Sequence, residues 1–188
     1  MTTVLAGGDS FVWGSELADS PHGGPDGYSR STFPALLGDK YICAAYPGLS
    51  NREIALRVRE VLVSTKPDIV IVCWTWSTRD SELDSDFHIQ NLENHLVHHN
   101  IPYIFTCADN CIITGKLDYT NWFLFPPGFG PDQTETPRGF YQWAVENKYS
   151  CGIQDHPLEA AHLAAAELMK EKFNELVKKS LEQNSIRN

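Results

Sequence analysis

The sequence predicts an α/β domain, a mostly parallel sheet of about five strands with helices on both faces. Three observations predict it. Short apolar runs alternate with stretches whose apolar residues recur at helical spacing. The segment from Asp68 to Cys73 is an unbroken run of Ile and Val, as a strand buried on both faces requires. No repeat, low-complexity stretch or linker interrupts the 188 residues, so 1–188 reads as one domain with a sizeable core.

The elements follow in order. Residues 3–7, with Val4, Leu5 and Ala6, form the first strand, and Gly7-Gly8-Asp9-Ser10-Phe11 turns sharply behind it. In 28–37, Phe33, Leu36 and Leu37 stand at helical spacing with Pro34 as the opening residue, which predicts a helix. Lys40 to Ala45 is the second strand. Ser50-Asn51-Arg52-Glu53 has the capping-box pattern, and Ile54, Val58, Val61 and Leu62 mark one face of the helix behind it, which stops before Pro67. The Ile/Val run is the third strand. Ile89, Leu92 and Leu96 predict a helix over 86–99, and Pro102 to Thr106 a fourth strand. Residues 107–136 are irregular and rich in Pro, Gly and aromatics. A short helix follows Pro137, with Phe140, Trp143 and Ala144. Pro157 opens the last helix, with Leu158, Ala161, Ala165, Leu168, Met169, Phe173 and Leu176 facing inward. The polar tail after about residue 180 is expected to fray.

Composition limits the function. The chain is 42% hydrophobic and 21% charged, with a net charge of −9 and a pI near 5.1. Such a surface repels nucleic acid and anionic membranes on average. No apolar stretch approaches a membrane span, and no signal peptide is visible at Met1-Thr2-Thr3. Five cysteines (Cys43, Cys73, Cys107, Cys111 and Cys151), without a C-x-x-C pair, fit reduced thiols and a cytoplasmic location.

The chemically capable residues gather where the strands end. In a parallel sheet the post-strand loops share one edge, and ligands bind there. Ser10 follows the first strand and Gly48 the second. Trp74-Thr75-Trp76-Ser77 follows the third, and Asp109 and Asn110 the fourth. Asp155-His156-Pro157 precedes the last helix. A hydroxyl, backbone donors and an imidazole at one edge supply a nucleophile, an oxyanion hole and a general base. Each residue also has a plainer reading: Ser10 as a helix cap, Gly48 as a turn glycine, and Asp155-His156 as a helix start.

These residues resemble the SGNH, or GDSL-type, hydrolases. The resemblance implies a flavodoxin-like three-layer α/β/α enzyme that cleaves esters or acetyl groups without metal or organic cofactor. Gly8-Asp9-Ser10 matches the first block, whose Ser is the nucleophile. Gly48, within Pro47-Gly48-Leu49-Ser50-Asn51, matches the second-block glycine, whose N–H joins the oxyanion hole. His156-Pro157, followed by His162, matches the last block, whose His is the base. Gly139-Phe140 with Trp143-Ala144 is similar to short members found in phage genomes. Two blocks depart from the pattern. The third block's Asn is absent from Trp74-Thr75-Trp76-Ser77, and losing one such donor costs about 3 kcal/mol of transition-state stabilisation. The last block's Asp position holds Ile153, which leaves Asp155 as the nearby acid.

The expectation is therefore a serine esterase with Ser10, His156 and Asp155 catalytic. Gly48, Asn51, Thr75, Trp76 and Ser77 line the oxyanion and substrate site, with Thr75 or Ser77 as substitute donors. The substrate is a small-molecule or glycan ester. The alternative is a catalytically degenerate binding or structural protein associated with glycans or a viral particle. Three further signals accompany this reading. His95, His98 and His99 share a helical face and suit either a metal or the helix's negative end. Arg79, flanked by Asp80 and Glu82, suits a surface ion pair or an anionic substrate. Trp13, Trp74, Trp76, Trp122 and Phe125 suit a substrate pocket or core packing, and the 107–136 loop is the natural seat of specificity.

Overall fold

The structure, a computed structural model, describes residues 1–20, 27–80, 85–127 and 136–186. Four parallel strands are ordered β2-β1-β3-β4: β1 (Thr3–Gly7), β2 (Lys40–Cys43), β3 (Ile69–Trp74) and β4 (Tyr103–Cys107). The central strand β3 is buried at all six positions, as its Ile/Val run predicts. The fifth strand is reduced to one rung. Phe105 donates its N–H to Asn121 O (3.0 Å) and accepts from Phe123 N–H (2.7 Å), making an isolated parallel bridge to Trp122. About five strands thus become four and a remnant, because, three residues on, Phe125 pairs its N–H and C=O with Arg138 instead of continuing along β4.

Alternation along the strands sends side chains to two cores. On one face Leu5, Val70, Val72 and Phe105 pack against Ile54 and Val58 of α2 (Asn51–Ser64) and Ile89, Leu92 and Leu96 of α3 (Ser85–His98). On the other, Val4, Ala6, Ile71 and Ile104 meet Phe140 and Trp143 of α4 (Phe140–Glu146) and Ala161, Ala165, Met169 and Phe173 of α5 (Glu159–Ile186). The result is the expected three-layer α/β/α arrangement. A single short turn of helix, α1 (Ser10–Trp13), follows β1 directly.

Several expectations are corrected. Residues 32–37 form turns rather than a helix, with Leu36 44% exposed; Pro34 and Gly38 leave too short a span between them. Leu168 faces solvent, and Ala166 takes its place in the core. The backbone of α5 is helical through Ile186. Among the described residues no helix is long and apolar enough to cross a membrane.

Candidate active site

The capping box of α2 forms as its sequence predicts. Ser50 N–H donates to Glu53 Oε2 (2.8 Å), and the Ser50 side chain accepts from Glu53 N–H. This places Asn51 inside the protein, where its amide is fully used. Asn51 Nδ2 donates to Thr75 O (3.2 Å), Asp80 Oδ2 (3.2 Å) and Ser85 Oγ (3.0 Å), and Asn51 Oδ1 accepts from Thr75 N–H (2.8 Å). Asn51 is therefore a brace between the second and third post-strand loops. It is not a substrate contact.

Thr75 is likewise spent. Its hydroxyl donates to Asp9 Oδ2 (2.7 Å), and the residue is completely buried. Asp9 also caps α1, accepting from Phe11 N–H at 3.1 Å. Burial raises the Asp9 carboxyl above its ordinary value, against the pull of Thr75, Phe11 N–H, Arg79 and His156. Ser77 opens the 3-10 turn Ser77–Arg79 beside the Cys111 thiol. Thr75 does not serve as the substitute donor expected of it.

Ser10 is the first residue of α1 and 8% exposed. Its neighbour Phe11 packs edge-on against the His156 ring, with centroids 5.4 Å apart, so the N-terminal and C-terminal motifs meet at one rim. Among the described residues the Ser10 hydroxyl has no hydrogen-bond partner, and neither the Ser10 nor the Gly48 N–H donates to a protein acceptor. Gly48 is exposed with φ +81°, a backbone state that favours glycine. Phe11, Trp76 and Tyr141 form an aromatic wall beside the imidazole: Phe11 to Trp76 is 5.7 Å, Phe11 to Tyr141 5.8 Å and Trp76 to Tyr141 6.0 Å.

The acid beside His156 is not Asp155. His156 Nδ1 lies 2.8 Å from Glu16 Oε2, and the side chains are 13% and 20% exposed. The Glu16 carboxylate also accepts from Gln154 N–H at 3.0–3.1 Å and from His156 N–H at 3.4 Å. Burial pushes its carboxyl upward, but the hydrogen bonds and the imidazole outweigh this and hold it below the ordinary 4.5. Asp155, at φ +61°, is exposed and turns in the loop, with its N–H on Gly152 O. Adjacent residues in an extended or turning chain point apart, which is why Asp155 cannot face the ring beside it. Glu16 lies 140 residues from His156, and no sequence spacing points to it; the left-handed residues Gly14 (φ +82°) and Glu16 (φ +68°) turn the chain back toward the site six residues after Ser10.

Arg79 also differs from expectation. Asp80 bonds Asn51, Arg52 N–H and the Ser85 hydroxyl, leaving Arg79 to pair with Asp9 Oδ2 at 3.2 Å. Glu82 lies outside the described residues, as do residues 128–135 of the long loop. Among the described residues no cluster of three or more His, Cys, Asp or Glu is placed to hold a metal ion. The His95 and His99 rings contact each other at 4.5 Å, at the opposite end of the sheet from the post-strand loops.

The fold resembles solved structures along nearly the whole chain. The psychrotrophic esterase EstA from Pseudoalteromonas sp. aligns over 97% of this chain and 100% of its own, at 13% identity and a TM-score of 0.60. The acetylxylan esterase Axe2 from Geobacillus stearothermophilus, solved as a catalytic mutant, aligns over 92% and 94%, at 15% identity and a TM-score of 0.58. A protein from Desulfitobacterium hafniense assigned to the G-D-S-L lipolytic family aligns over 91% and 99%, at 15% identity and a TM-score of 0.52. The chain has an SGNH-hydrolase-like fold. No protein-family model and no curated protein sequence matches it.

Proposed function

We infer that the chain is a serine hydrolase of ester bonds, acting on a small-molecule or glycan ester through a Ser10 acyl-enzyme. The observation that carries this reading is the 2.8 Å contact between Glu16 Oε2 and His156 Nδ1. An ionised carboxylate only accepts, so Nδ1 carries the proton and Nε2 is left as the base. The imidazole is thereby held in the tautomer that general-base catalysis needs.

The steps follow from these roles. Ser10 Oγ bonds the carbonyl carbon while its proton moves to His156 Nε2, and the carbonyl π electrons move to oxygen. Ser10 and Gly48 N–H groups, both without protein acceptors, hold that oxyanion. The C=O bond reforms as the bond to the leaving oxygen breaks, and that oxygen takes the proton from His156. Water, giving a proton to His156, then bonds the acyl carbon, the bond from that carbon to Ser10 Oγ breaks, and His156 returns the proton to Ser10 Oγ as the acid leaves. The Ser10 hydroxyl reaches the imidazole as substrate closes the site, since such hydrogen bonds often tighten only in the bound complex. The wall of Phe11, Trp76 and Tyr141 suits an acyl group or a sugar ring.

The competing reading is a binding protein with a silent site. It is favoured by the internal commitment of both the Thr75 hydroxyl and the Asn51 amide. A fluorophosphonate probe separates the two. Labelling and p-nitrophenyl acetate turnover that disappear in Ser10→Ala and His156→Ala support the hydrolase. A folded wild-type protein that takes no label overturns it.

A further inference from the structure

We propose that Arg79 is the third oxyanion donor of this site, standing in for the amide that the third post-strand loop lacks. The inference rests on the hydrolase reading above and extends it.

The guanidinium is anchored between the two turns that carry the backbone donors. Arg79 Nη1 donates to Asp9 Oδ2 (3.2 Å) and to Leu49 O (3.2 Å). Asp9 immediately precedes Ser10, and Leu49 immediately follows Gly48. The group also lies over the Trp76 ring, 5.3 Å from its centroid. Three contacts thus fix the plane of a side chain that is otherwise long and mobile. Both Nη1 hydrogens are used. The Nε and Nη2 hydrogens have no acceptor among the described residues, and the side chain is 32% exposed, so three N–H donors remain for a ligand.

Two other candidates for that role are occupied. Thr75 gives its only hydroxyl hydrogen to Asp9, and both Asn51 amide hydrogens are committed. Arg79, tethered to the neighbours of both Ser10 and Gly48, therefore stands beside the two turns between which the negative charge develops.

An anionic substrate is the rival use of the same guanidinium, and the surrounding charge decides against it. Asp9 already neutralises Arg79 in the ground state. Glu16 and Asp155 add negative charge beside His156, and the whole chain carries −9. An incoming anion is repelled, whereas an oxygen that becomes negative only in the transition state gains the contact without that cost. Pre-positioned donors of this kind act where charge develops.

The test compares wild type, Arg79→Gln and Arg79→Lys on p-nitrophenyl acetate and on its thionoacetate analogue, with fluorophosphonate labelling and Ser10→Ala as reference. N–H groups bond oxygen far better than sulfur, so an oxyanion donor raises the oxo-to-thiono rate ratio. We expect both variants to lose roughly a hundredfold in kcat with little change in KM, and the ratio to fall with it. Should R79Q fail to fold, R79K keeps the charge against Asp9 and decides the matter alone. A folded variant that retains kcat and the ratio, or that changes KM alone, overturns the role while Ser10-dependent labelling keeps the hydrolase reading intact. Absence of Ser10-dependent labelling in wild type overturns both.

Discussion

Glu16 occupies the space that a side chain on Gly152 would need. A Cβ built at Gly152 would stand 2.5 Å from Glu16 Cδ and 2.6 and 2.7 Å from its two carboxylate oxygens. The bare backbone at Gly152 lets the carboxylate lie across the loop and reach Gln154 N–H, His156 N–H and the His156 ring together. The carboxylate beside the imidazole is thus supplied across 140 residues of sequence, from the turn after Ser10 rather than from the residues next to His156.

Displacing or neutralising that carboxylate should lower turnover without unfolding the protein. Glu16→Gln is expected to cut kcat by about 10²–10⁴-fold, since the proton on Nδ1 loses its charged acceptor. Gly152→Ala should cost about a hundredfold by pushing the carboxylate off line. Steady-state kinetics beside a thermal melt check both. Wild-type kcat in a folded Gly152→Ala protein would show that the contact does not set the base.

Asp155 provides the contrast. Its backbone is left-handed, so alanine would add strain, whereas asparagine tolerates that conformation. Asp155→Asn should leave kcat/KM on a neutral ester unchanged. A fall comparable to that of Glu16→Gln would return the orienting role to Asp155.

The difference between these two acids marks what the sequence could and could not disclose. Strand positions were legible because the Ile/Val run of β3 and the apolar Tyr103-Ile104-Phe105 of β4 are dictated by burial on both faces, and β3 is shifted from its expected start by one residue only. The Ser50–Glu53 box was legible because capping is local. Glu16, Arg79 and Asn51 take their partners 140, 70 and 24 residues away, and no spacing rule encodes such pairs. The helix expected over 28–37 shows the same limit: apolar spacing suggested it, but packing of Phe33 against Phe140 and His162 satisfies those residues in turns.

Asn51 should carry stability rather than activity. Asn51→Ala leaves the buried Thr75 N–H and Thr75 O without their side-chain partner, while the Ser85 hydroxyl and Asp80 keep their bond to each other. The expected loss is about 2–3 kcal/mol, read from the urea midpoint at constant slope. A loss below about 0.5 kcal/mol would mean that water replaces the amide and the brace is dispensable.

His162 should make the fold acid-sensitive well above the carboxylate range. It is 1% exposed and accepts at Nδ1 from Phe33 N–H (3.2 Å), while its other nitrogen bonds the Pro157 backbone next to His156. Protonating Nδ1 would set two donors against each other. Burial accordingly lowers the pKa from 6.5 to about 3 in the folded protein. The folded state then binds fewer protons than the unfolded chain. The contribution is complete above pH 6.5 and is lost as pH falls from there toward 3, with a limiting slope of about 1.4 kcal/mol per pH unit. Urea denaturation between pH 6.5 and about 5 should show a slope greater in wild type than in His162→Gln by up to one proton. Asp9 and Glu16 are common to the two proteins compared, so their own titration cancels in the difference. Equal slopes in the two proteins would mean that the imidazole is hydrated and titrates freely in the native state.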